Sequence, residues 1–98
     1  MALFARDVEY LPPPPLGREP IRGLPAVLEF WREVFARYER TTIENLSLEE
    51  AARGRIVRTA RLCHFAATGE QRLEYTICQT TCLKAGRVVR QVNELAPG

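Results

Sequence analysis

Four consecutive prolines, Pro12 to Pro15, constrain this chain more than any other feature. Proline donates no backbone hydrogen bond, and it pushes the residue before it toward extended geometry. The stretch "LPPPPLGREP", residues 11–20, is therefore excluded from regular helix and from a central strand. It is predicted to be polyproline-II-like, stiff at about 3.1 Å per residue. Such a run is either a ligand for an aromatic-lined peptide groove or a rigid connector. Leu11 and Leu16 bracket it, which favours the connector. Residues 3–11, before it, alternate weakly and read as a short strand or the end of a helix.

After the prolines comes the strongest periodic signal. In "GLPAVLEFWREVFARYER" the apolar residues Leu24, Val27, Leu28, Trp31, Val34, Phe35 and Tyr38 recur at three- and four-residue steps. They form one face of an amphipathic helix, opposed by Glu29, Arg32, Glu33 and Arg40. Pro25 suits the first helical turn, where its missing N–H costs nothing. Phe30 falls outside the stripe and implies a second, partial contact.

The remainder reads as β-structure. "RTTIENL", 40–46, is a predicted strand. "SLEEAARG", 47–54, carries a capping-box pattern, Ser47 with Glu50, and is expected to be a loop with one turn. Two long strands, 55–68 and 71–84, are joined through Thr68, Gly69 and Glu70 as a hairpin. "AGR" at 85–87 marks a second tight hairpin into a strand over 88–95. One helix against a curved antiparallel meander is an α+β domain. Ninety-eight residues make it a single domain with one modest core.

Charge and cysteine usage narrow the function classes. The formal net charge is only +2, and arginines are interleaved with acids, so no basic face points to nucleic acid. No apolar run approaches the roughly 20 residues of a membrane span, and no secretory signal is apparent. Cys63, Cys78 and Cys82 form no disulfide framework; Cys78 and Cys82 lie about 13 Å apart on an extended strand. With His64 the only histidine, no zinc site is expected, and no cofactor is implied. The setting these thiols suit is a reducing cytoplasm.

Period-two counting puts Tyr75, Ile77, Gln79, Thr81 and Leu83 on one strand face, the composition of a pocket wall. The opposite face, Thr76, Cys78, Thr80 and Cys82, is small and polar and suits a flat sheet-to-sheet contact. On the preceding strand Ile56, Arg58, Ala60, Leu62, His64 and Ala66 share a face. Four residues are candidates for ligand contact. Trp31 is able to stack on a ligand or pack in the core. His64, the one group titrating near neutrality, is able to act as a base or sit satisfied in the sheet. Gln79 offers an amide to a ligand or to its neighbours. Tyr10 offers a phenol to a ligand oxygen or packs at the rim.

The order of these parts resembles a known family. Asp7-Val8 with Tyr10, the prolines, Arg22-Gly23 and the aromatic pair Phe30-Trp31 are similar to the SnoaL-like polyketide cyclase group of the nuclear-transport-factor-2-like superfamily. The ending "LKAGRVVRQVNEL" resembles that family's last hairpin. The resemblance spans about residues 4 to 95. It implies a cone-like (cystatin-like) roll with a pocket in its wide mouth, a small hydrophobic ligand and dimerisation through the sheet. It also implies that Tyr10 points into the cone.

Two departures from the family stand out. Its members open with one or two further helices that close the cone, so the domain reads as N-terminally shortened or as one whose cavity a partner covers. Isomerase and cyclase members place an acid after the strand aromatic, where this chain has Pro12. Their second acid falls on Gln79, or on Cys78 with a longer hairpin. Carbon-acid chemistry needs a basic group of tuned pKa, which these residues do not supply. The expected function is therefore small-molecule binding by a dimer that lacks the usual acids. The alternatives are an isomerase-, cyclase- or epoxide-hydrolase-like enzyme of altered mechanism using Tyr10 and His64, and a dimerisation or protein-interaction module.

Overall fold

A computed structural model describes residues 3–96. The elements in order are β1 (Leu3–Leu11), β2 (Ile21–Arg22), α1 (Leu24–Arg37), β3 (Arg40–Ala52), β4 (Arg55–Phe65), β5 (Gln71–Lys84) and β6 (Arg87–Leu95). The strands make one open, curved sheet in the order β2-β1-β6-β5-β4-β3, packed on the single helix. The expected α+β cone is present. The sheet is mixed rather than wholly antiparallel, because β1 and β6 pair in parallel while the other neighbours are antiparallel. Register shifts between Asn45 and Ser47, His64 and Phe65, and Cys82 and Leu83 supply the bulges that bend a long ladder.

Pro12 and Pro13 lie outside helix and strand, and the run then turns. Pro12 and Pro13 are buried, and the Leu16 N–H donates to the Pro13 carbonyl at 2.9 Å, so the second half of the run closes a turn instead of continuing extended. Leu16 is thereby delivered into the core. β2 then pairs with β1, and Gly23 opens the helix at φ 92°, a backbone shape that L side chains rarely adopt. Its N–H donates to the Val8 carbonyl at 2.8 Å, which fixes the helix start against β1.

The helix buries a narrower stripe than its periodicity implies. Val27 and Val34 are buried, and Phe30 and Trp31 bridge two core clusters. Leu28 and Phe35 are more than half exposed. One cluster joins Val8, Tyr10, Val27 and Val88; the other joins Leu16, Val34, Ala60, Leu62, Tyr75 and Ile77.

The expected loop at 47–54 is instead the second half of β3. Leu48, Glu49, Glu50 and Ala52 pair with Arg58, Val57, Ile56 and Arg55, and only Arg53 and Gly54 form the turn. Eleven ladder pairs with β4 outweigh one local capping box, whose two bonds are worth little in isolation. The hairpin after β5 is as expected. Ala85 and Gly86, at φ 53° and 77°, link the paired Lys84 and Arg87, the signature of a type I′ turn.

Candidate functional site

Strand alternation builds the concave wall. Val8 and Tyr10 of β1 point inward, while Glu9 points outward to ion pairs with Arg22 and Arg90. On β5, Tyr75, Ile77 and Gln79 are buried and the residues between them only half-buried. A single cross-strand row connects Leu48, Arg58, Gln79 and Asn93 from β3 to β6. In a directly paired row all side chains emerge on one face, so these groups share the cone interior.

A cavity of about 400 Å³ opens between α1 and the β1–β6 edge. Leu3, Phe4, Leu24, Val27, Leu28 and Trp31 line it, together with Tyr10 and Gln91. Neither of its two polar residues is a carboxylate. The Trp31 Nε1–H donates to the Tyr10 hydroxyl at 3.2 Å, and the two rings meet edge to face at 6.5 Å. Burial pushes the Tyr10 phenol well above its ordinary range, against hydrogen bonds from Trp31 and Asn93 and the nearby positive charge of Arg58. Tyr10 therefore stays protonated at any physiological pH. Gln91 is oriented by its bond to Thr81 at 3.0 Å.

Of the four residues singled out from sequence, Tyr10 and Trp31 line this cavity and touch each other. Gln79 and His64 do not line it. The Gln79 amide donates to Asn93 Oδ1 at 2.9 Å, and Asn93 Nδ2 donates to the Leu11 carbonyl at 2.9 Å. This chain of amides ties β5, β6 and the start of the proline run together. His64 is fully buried, with Nε2 2.8 Å from the Tyr75 hydroxyl and Nδ1 2.9 Å from Thr41 Oγ1. Tyr75 stacks on it, Tyr38 packs against it at a tilt, and burial lowers its pKa.

Pro12 is buried and lines a smaller cavity of about 220 Å³ with Leu11, Pro14, Gly17, Arg18 and Asn93. Sequence reasoning did not single out Gln91, Asn93 or Arg58. The signal for Arg58 was present, as an arginine sharing a face with Ile56, Ala60 and Leu62.

No family model and no curated protein sequence matches the chain. Solved structures do. An NTF2-like protein of unknown function from Burkholderia pseudomallei superposes with a TM-score of 0.79 at 21% identity, over 97% of this chain and 74% of that one. A putative SnoaL-like polyketide cyclase from Jannaschia sp. gives 0.75 at 13% identity, over 93% and 65%. TerC, co-crystallised with polyporic acid, gives 0.77 at 15% identity, over 95% and 73%. The chain has the nuclear-transport-factor-2-like fold.

Proposed function

We propose that this chain is a SnoaL-like domain that binds a small hydrophobic molecule and does not use the carboxylate chemistry of isomerases. The observation that carries this reading is the cavity wall, six apolar side chains and two neutral polar ones around about 400 Å³. That is the usual make-up and size of a small-molecule site, apolar walls with a few placed polar groups. A neighbour of the same fold crystallised with a small organic compound supports it. An enzyme built on Tyr10 and His64 has less support. Both ring nitrogens of His64 lie within bonding distance of side-chain hydroxyls, and His64 does not line the cavity.

Trp31 is the only tryptophan and lines the cavity, so its fluorescence reports occupancy. Titration with a neutral two-ring hydrocarbon such as 2-methylnaphthalene is expected to change that emission saturably, at one molecule per chain. A linear, non-saturating response would overturn the reading.

The reading includes a dimer in the cytoplasm formed through the outer sheet face. Thr59, Thr76, Cys78 and Thr80 lie there, small and half-buried, on the side away from the helix. Sedimentation is expected to give a dimer at micromolar concentration, and Thr80→Arg to give a folded monomer. A wild-type monomer under the same conditions contradicts this part.

A further inference from the structure

Arg58 has no partner that explains its place. It sits in β4 between Ile56 and Ala60, on the concave face, directly opposite Gln79 on one side and Leu48 on the other. The side chain is half-buried, and its Nε–H is fully buried with no hydrogen-bond acceptor. None of the ion pairs among the described residues includes it, although Arg22, Arg32, Arg61, Arg72 and Arg90 each have a carboxylate. A buried donor left unpaired costs free energy, and a guanidinium more than a neutral group. Such exceptions are few in folded proteins, and an acceptor from outside the chain is one explanation of them.

The surroundings say what that acceptor is. Gln79, Asn93 and Tyr10 lie along the same interior, and none carries a negative charge. Arg58, Gln79 and Asn93 form one paired interior row across β4, β5 and β6, and on β6 Gln91, two residues from Asn93 on the same face, lines the cavity. Arg58 also stands where cover ends. Ala60, its inward neighbour, is fully buried, while Leu48, paired with it, is 69% exposed. The guanidinium therefore stands at the edge of the covered interior.

We propose that Arg58 is the anchor for a carboxylate, so that the molecule this domain takes is an apolar acid with its body in the cavity and its charged end at the guanidinium. The assignment rests on the binding role proposed for the cavity and names its ligand class. Guanidinium and carboxylate match in a two-pronged, charge-assisted geometry, which makes arginine the residue suited to this task.

The test compares 2-naphthoate with its methyl ester, by calorimetric titration of the full chain and of Arg58→Met. The acid is expected to bind the wild type about tenfold or more tightly than the ester, the scale of one hydrogen bond to a charged group. In Arg58→Met that preference disappears while ester affinity is kept. The variant's melting temperature without ligand is unchanged or raised, because a buried donor without an acceptor has been removed. Equal affinity of acid and ester for the wild type overturns the carboxylate anchor and leaves the cavity's binding role standing. Failure of both compounds to bind overturns the binding role itself. A preference for the acid that survives in Arg58→Met places the anchor elsewhere and also overturns the proposal.

Discussion

His64 shows how a residue with catalytic chemistry is absorbed into structure. Thr41 and Tyr75 occupy its two nitrogens, Tyr38 and Tyr75 cover its faces, and no carboxylate is among its bonding partners. Burial lowers its pKa below the ordinary 6.5. The unfolded chain therefore takes up a proton near pH 6.5 that the folded chain refuses. Stability is complete above that value and falls as pH drops through the window beneath it, levelling below the folded pKa. His64 is the only histidine, so the slope between pH 7.5 and 5.5 reports on it almost alone. Guanidinium denaturation at the two ends of that window is expected to show lower stability at pH 5.5. Equal or greater stability at pH 5.5 contradicts the burial argument. Tyr10 was singled out through the family resemblance and Trp31 through its place on the helix stripe; both line the cavity. Gln79 was legible as part of a pocket-wall face and His64 as the one group titrating near neutrality. Which inward residues meet a cavity depends on where the helix ends over the sheet, and period-two counting carries no such information.

At the scale of elements, local chemistry was readable and long-range pairing was not. The helix, its proline in the first turn, and the "AGR" hairpin all follow from signals within a few residues. The parallel β1–β6 pair joins strands about eighty residues apart, with no turn to mark it. The tail of β3 carries charged residues and a capping pattern, and only the partner strand makes it extended. The type I′ turn permits a direct check. Ala85 holds φ 53°, a left-handed shape that costs a residue with a Cβ roughly 1–2 kcal/mol, although not all of that is recovered on substitution. Ala85→Asn, which gives the preferred Asn-Gly pair, is expected to stabilise the fold by roughly 0.5–1 kcal/mol in chemical denaturation. Gly86→Ala is expected to destabilise it by roughly 1–2 kcal/mol. A stability ranking in the reverse order contradicts the turn assignment.

At the scale of the whole molecule the sheet outreaches its helix. The longest dimension is 43 Å, close to the span of thirteen β3 residues at about 3.3 Å each. The fourteen helical residues cover about 21 Å. Ile43, Leu46 and Leu48 on the far wing, and Leu28 and Phe35 on the helix, are consequently about half exposed or more. No helix among the described residues is long and apolar enough to cross a membrane. The cavity sits at the other end, where β1 and α1 meet, and the binding role proposed above belongs to that end. Methyl-resolved NMR of the protein titrated with 2-methylnaphthalene tests that claim most directly. Saturable shifts are expected at the methyls of Leu3, Leu24, Val27 and Leu28, with those of Leu62 and Leu73 near His64 unmoved. Shifts confined to Ile43, Leu46 and Leu48, or none at any concentration, would contradict it.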